Sequence, residues 1–292
     1  MSVLVSLVGM ALIAFGLRDM YHSLLHPSGK GALSNAVMGG VWRISKGLNH
    51  RFGSAVGPGA MVAVIALWVG LQALGWAFIY LPHIPDGFSY SAGIEPSRYN
   101  DFAEALYVSL VTLTTLGFGD VVAVDPWVRI GAPLEALTGF ALLTSALTWF
   151  TQVYPPLSRR RALALELKGL ADTGYAKRFH ELNPLAVSCG LDRLASGIAK
   201  ARIDFTQHRE SYYFQEDDPG LSLARHLPYA LTLRDTAAGS AAPEITGSAA
   251  ILTKALEELG NKLDDEFLHT GGELPEVLAS YAQDHGRRLR YE

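Results

Sequence analysis

From Ala60 to Tyr80 the chain reads AMVAVIALWVGLQALGWAFIY, 21 residues without a formal charge. A helix rises 1.5 Å per residue, so this run spans a hydrocarbon core of about 30 Å. A helix buried in a soluble protein rarely stays uncharged for so long. The run reads as a transmembrane helix, which places the whole chain under the rule that backbone polar groups inside a bilayer must be satisfied internally. Ile130 to Tyr154 is nearly as long and carries one charge, Glu135. Trp127, Trp149 and Tyr154 lie near its ends, where interfacial aromatic residues belong.

Val3 to Leu17 is a shorter apolar run. A signal peptide carries basic residues before such a run and a small-residue cleavage site after it, but here no charge precedes it and Arg-Asp-Met-Tyr-His follows. It reads as a third membrane helix, continuing toward Leu25. Of the 292 residues 18% are charged, and most of these fall after Ser158. The expected divisions are therefore an N-terminal membrane helix with an interfacial or cytoplasmic segment (1–57), a membrane domain (58–157) and a charged domain (158–292). The net charge of -4, mixed in sign, excludes nucleic acid as a partner. The single cysteine, Cys189, rules out an intrachain disulfide and any CxxC motif, and reads as a small buried apolar residue.

Charge asymmetry sets the orientation. Arg18, Lys30, Arg43, Lys46 and Arg51 lie between the first two apolar runs, and Arg159, Arg160 and Arg161 follow the last. Leu81 to Arg129 holds only Arg98 and Arg129. The positive-inside rule places the 18–58 loop and the C-terminal half in the cytoplasm and Pro82 to Asn100 outside, as in a multi-pass protein of the cell membrane. Within the first loop, LSNAVMGGVWRISKGL has two readings: a helix along the membrane surface, or an amphipathic connector.

Between the second and third apolar runs stands TLTTLGFGD, Thr112 to Asp120. Alone, two β-rich runs around Gly-Phe-Gly-Asp signal a hairpin. The preceding NDFAEALYVSLVT, however, has a helix start, with Asp101 as cap and Glu104 three residues on. That helix is too short to cross the bilayer and must enter and stop, which is tolerated only where the backbone is buried in protein or lines water. The arrangement of membrane helix, short helix, TLTTLGFGD and membrane helix resembles the pore-loop potassium channels with one such unit per subunit, over roughly Ala60 to Tyr154. That family writes its filter Thr-Val-Gly-Tyr-Gly-Asp, and here Thr115, Leu116, Gly117, Phe118, Gly119 and Asp120 stand in its place.

The resemblance implies an all-α membrane protein: a pore module of outer helix, pore helix, filter and inner helix, with a mostly helical cytoplasmic domain. It implies a potassium-selective channel, not an enzyme, with no cofactor beyond K+ as the permeant ion. K+ is held by backbone carbonyls of Thr115, Leu116, Gly117 and Phe118, the Thr115 hydroxyl adding the innermost ring. Such carbonyl rings need alternating backbone dihedrals, which Gly117 and Gly119 permit. Leu116 and Phe118 are expected to point off the axis and pack on the pore helix. Near Thr114 the helix aims its partial negative charge at an ion in the cavity. Asp120 is placed at the outer mouth, and Tyr107 and Glu135 are assigned to filter support. Glu135 replaces a bracing carboxylate that Val111 does not supply, unless it is an outer-end glutamate reaching water. Gly139 falls at the gating hinge of the family, or is a packing glycine. One pore unit per chain implies a homotetramer in the lipid bilayer.

No membrane helix carries arginine at every third position, so no voltage sensor is present, and gating falls to the cytoplasmic domain. Pro155 and Pro156 are expected to interrupt the helix leading to that domain. Helical spacing recurs after Ser158, Thr236 to Ser248 reads as a linker, and no GxGxxG follows a strand. Asp204, His208, Glu210, Glu216, Asp217, Asp218 and His226 read either as a divalent-metal site or as solvated loop charge. His22 and His26 read as a metal or pH site or as juxtamembrane packing. The domain is left with an unidentified cytoplasmic ligand. Two other readings stand beside the potassium channel: a nonselective monovalent cation channel, and a membrane-anchored receptor or enzyme acting through its cytoplasmic half.

Overall fold

A computed structural model describes residues 2–24 and 31–288. The chain divides into two compact units, each drawn from two stretches: Met1–Val37 with Met61–Thr151, and Met38–Ala60 with Gln152–Glu292.

The first unit holds α1 (Ser2–Leu24), the start of α2 (Ala32–Gly47), most of α3 (Val56–Tyr80), α4 (Asp101–Leu113) and the first part of α5 (Pro126–Asp172). Spans within Val3–Leu24, Gly53–His83 and Pro126–Asp172 are long and apolar enough to cross a membrane. The first apolar run thus continues as helix to Leu24, while His26 lies outside the described residues. Glycines bring α1 and α3 together: a Cβ on Gly9 meets the Gly75 carbonyl, and one on Gly75 comes within 2.6 Å of Ile13 Cγ1. Such close backbone approach is how membrane helices gain packing without a hydrophobic driving force. Asp19, buried in this pair, accepts from Trp68 Nε1 at 2.9 Å and from the backbone N–H of Leu33 at 2.8 Å and Ser34 at 3.1 Å. It thereby satisfies N–H groups of the first turn of α2, which have no partner within the helix.

The all-α expectation omitted one element. Phe88–Tyr90 (β1) pairs antiparallel with Val121–Ala123 (β2), Phe88 opposite Ala123 and Tyr90 opposite Val121. The residues after Gly-Phe-Gly-Asp do form a strand, but its partner lies before α4. Trp76, Ala77, Tyr80, Phe88, Ala105, Val108 and Val128 form the core beneath it.

The second unit is helical. α6 (Pro184–Gln207) and α9 (Pro243–Leu263) pair along their length, joined by α7 (Leu223–His226), α8 (Tyr229–Ala238) and α10 (Leu274–Asp284). On α9 Ile245, Ala249, Leu252, Leu256, Leu259 and Leu263 are buried, one stripe at helical spacing. The expected linker from Thr236 to Ser248 is mostly helix. α8 runs to Ala238 and Pro243 opens α9, where its fixed φ and missing N–H suit the first turn. The small residues read as linker are packing residues: Ser248 Oγ lies 2.7 Å from Ser188 Oγ on α6. Pro155 and Pro156 do not interrupt α5, which stays helical from Pro126 to Asp172. The missing N–H groups free only the carbonyls one turn back, and the bonds on either side carry the helix across.

α2 is resolved as a packed connector. Trp42 is buried, donates to Asp284 Oδ2 at 2.8 Å and lies 5.0–6.0 Å, ring centre to ring centre, from His50, Tyr212, Tyr213 and His285. Cys189 is exposed, not buried, because α6 turns Val187, Ser188 and Leu191 inward and Cys189 away from them.

The 204–226 cluster divides: Asp217 and Asp218 are exposed loop charges, as the second reading has it, and the others are largely internal. Among the described residues no group of three ligating side chains converges. Asp204 takes Arg159 at 2.5 and 3.0 Å, Glu216 takes Arg160 at 3.2 Å and Arg161 at 2.8 Å, and Asp217 accepts from Ser54. Asp218 caps its own turn through Gly220 N, His208 faces Glu210 at 3.6 Å and His226 contacts the Pro219 carbonyl. Asp204, Glu210, Glu216 and His226 are buried. The arginines after the last apolar run are the partners of Asp204 and Glu216, a pairing that local spacing does not reveal.

His285 in this unit is buried, its Nε2 2.9 Å from the Tyr212 carbonyl, and burial pushes its pKa well below the ordinary histidine range. Burial alone would raise Asp284, but hydrogen bonds from Lys46, Tyr212 and Trp42 hold it low. The unfolded chain binds a proton at His285 below about pH 6.5, and the folded chain does not. Stability is therefore lost as pH falls below about 6.5, at about 1.4 kcal/mol per unit for one proton. Unfolding at pH 5 is expected to cost about 2 kcal/mol less than at pH 7, and His285→Gln should remove most of that difference. Partial burial moves His50 in the same direction. Equal pH dependence in wild type and His285→Gln, measured by denaturant unfolding, would sink this assignment.

Candidate ion-conduction site

The cap of α4 lies one residue before the expected one. Asn100 Oδ1 accepts from Phe102 N at 3.0 Å and Ala103 N at 3.4 Å, so Asn100 is the N-cap and Asp101 the first helical residue. Either side chain can cap, and only the backbone's entry into the helix selects between them. The helix ends in a Schellman-type turn: Leu116 N bonds Val111 O at 3.0 Å and Thr115 N bonds Thr112 O at 2.9 Å. That motif needs a left-handed residue at its close, and Thr115 takes the position with φ 58°. A β-branched residue there gives no sequence signal, since glycine is the usual occupant.

Gly117 and Gly119 follow with φ 55° and 76°, whereas Leu116 and Phe118 do not have positive φ. The backbone thus alternates hand through Thr115, Gly117 and Gly119. Asp120 Oδ2 accepts from the Tyr107 hydroxyl at 2.5 Å, and the Asp120 carbonyl accepts from Ser91 N at 2.8 Å, which ties the end of the turn to α4 and to the segment between α3 and α4. Leu116 and Phe118 do not pack on the chain's own short helix as expected. They are 60% and 65% exposed, because the alternating backbone carries them away from α4.

Glu135 does not brace Asp120 and does not reach water. It is fully buried, with Tyr80 Oη 2.6 Å from Oε2 and Ser109 Oγ 2.5 Å from Oε1. Tyr80 and Ser109 were missed by sequence reasoning, and their signal is a hydroxyl inside an otherwise apolar run. One turn on, Gly139 sits where an added Cβ would overlap the Leu113 carbonyl, so α5 passes the end of α4 at backbone contact. Any side chain at 139 displaces that end.

Residues 66–154 match the family model described as ion channel, from within α3 through α4 and the Thr115–Asp120 turn into α5. No curated protein and no solved structure matches the chain. The match supports an ion-channel domain in residues 66–154 of a membrane protein.

Proposed function

We propose that four copies of this chain surround one pore and conduct potassium passively and selectively through backbone carbonyls of Thr115, Leu116, Gly117 and Phe118. The observation that carries this reading is the sign alternation of φ at Thr115, Gly117 and Gly119, directly after a helix too short to cross a bilayer. Alternating hand turns successive carbonyls to one side, where rings from four chains replace the hydration shell of a large monovalent cation. Asp120 marks the outer mouth, tied to the short helix through Tyr107. Exposed Leu116 and Phe118 are the surfaces available to neighbouring copies. Gating falls to the second unit, to which α5 contributes its residues from Gln152 on, with Gly139 the point at which α5 and α4 constrain each other.

Purified full-length protein in proteoliposomes is expected to release potassium down its gradient and to pass sodium far more slowly. Equal rates for the two ions would favour a nonselective cation channel, and no flux would remove the channel reading.

Orientation is tested separately. In a Cys189→Ser background, cysteine introduced at Ser91, exposed in the outer segment, is expected to react with an impermeant thiol reagent in intact cells. Cysteine at the equally exposed Ser158 is expected to react only after lysis. The opposite pattern would invert the topology.

A further inference from the structure

We infer that Glu135 carries a proton and donates it in a hydrogen bond to Ser109, joining α3, α4 and α5 through a neutral acid behind the candidate filter. The bearing of this on conduction rests on the reading above, but the proton does not.

The inference follows from counting hydrogens. Three close oxygen contacts meet here: Tyr80 Oη to Glu135 Oε2 at 2.6 Å, Ser109 Oγ to Glu135 Oε1 at 2.5 Å, and Ser109 Oγ to the Ala73 carbonyl at 2.9 Å. Tyr80 and Ser109 each supply one hydrogen. If Glu135 were ionised, two hydrogens would serve three contacts, leaving one pair of oxygens face to face with no proton between them. A proton on Oε1 completes the chain: Tyr80 donates to Glu135, Glu135 to Ser109 and Ser109 to the Ala73 carbonyl. Every contact then has a hydrogen between its two oxygens.

Charge leads to the same conclusion. Glu135 and Ser109 are fully buried, and among the described residues no lysine, arginine or histidine is paired with Glu135. An ionised carboxylate in membrane surroundings without a cation is strongly disfavoured. As a neutral acid the group keeps two good hydrogen bonds and avoids that cost. It then acts as a positioning residue. Ser109 lies one turn before Leu113, whose carbonyl meets Gly139, and Thr115 begins the turn just beyond. A short donor bond to Ser109 fixes the height of α4 against α5, where the filter backbone starts.

The test is infrared difference spectroscopy on full-length protein in lipid, wild type minus Glu135→Gln. A carbonyl stretch of a protonated carboxylic acid is expected in wild type and lost in the variant. In Ser109→Ala this band should shift to higher frequency, because the acid O–H loses its acceptor. Glutamine reproduces the neutral acid, its NH2 donating to Ser109 and its carbonyl accepting from Tyr80. Glu135→Gln should therefore keep potassium flux, whereas Glu135→Leu should lose it. A wild-type spectrum without the band, a band unmoved by Ser109→Ala, or loss of flux in a folded Glu135→Gln protein would each overturn the inference. If wild type carries no flux at all, the channel reading fails and the infrared result alone decides the proton.

Discussion

Replacing Gly117 by alanine is expected to abolish potassium conductance in bilayers, while Phe118→Tyr is expected to conduct and to stay selective. Gly117 has φ 55°, and nothing lies within 4 Å of where its Cβ would stand, so the obstacle is the backbone conformation and not a clash. A non-glycine residue in the left-handed region costs about 1–2 kcal/mol, and a fourfold assembly incurs this four times around the ring of residue 117. The turn already holds one such residue, the β-branched Thr115 at φ 58°, kept there by the helix-closing bonds of α4. Among the described residues no comparable backbone bond holds Gly117. Relaxation toward negative φ at 117 would swing its carbonyl off the axis and break the alternation. Phe118→Tyr leaves every backbone angle free to stay as it is and adds a hydroxyl at an exposed edge. The measurement is reversal potential and conductance under opposed potassium and sodium gradients. A wild-type reversal near zero, or a Gly117→Ala protein with unchanged conductance and selectivity, would refute the assignment.

Arg160→Met is expected to destabilise the second unit by about 3–5 kcal/mol, the usual cost of removing one partner from a buried ion pair. Arg160 is 5% exposed and donates to the carbonyls of Ser211 at 2.6 Å and Phe214 at 2.8 Å and to Glu216 Oε1 at 3.2 Å. Removing the guanidinium strands both carbonyls and half of the charge compensation of Glu216, leaving Arg161, which is more exposed, as its partner. Methionine fills part of the volume and satisfies none of those acceptors. The control is Arg193→Ala, whose pairing with Glu166 at 2.6 Å lies on the surface. Exposed pairs of that kind contribute about 0–1 kcal/mol. Denaturant unfolding of the two variants in full-length protein should separate them clearly. Equal midpoints would show that the arginine tract is a solvated charge run and not an internal anchor of this unit.

The sequence by itself determined what is local. Uncharged length marks the crossing helices because hydrocarbon offers no partner to a charge, and that property needs no knowledge of neighbours. The interrupted helix before Thr115 and the glycines at 117 and 119 are equally local, since length and the absence of Cβ set what the backbone can do there. The stripe on α9 is a property of helical period alone. Only the tertiary structure decided partners. Trp42 and Asp284 meet across 242 residues, which drew the second half of α2 into a packed core. Arg159, Arg160 and Arg161 read equally well as a topological flag and as an internal anchor until Asp204 and Glu216 are brought to them. Glu135 shows the same division. Its cost inside a membrane was legible from one apolar helix, but its relief lay in two hydroxyls on other helices, Tyr80 and Ser109. A polar group must find a partner wherever it is buried, and sequence states the need while the fold alone chooses which group meets it.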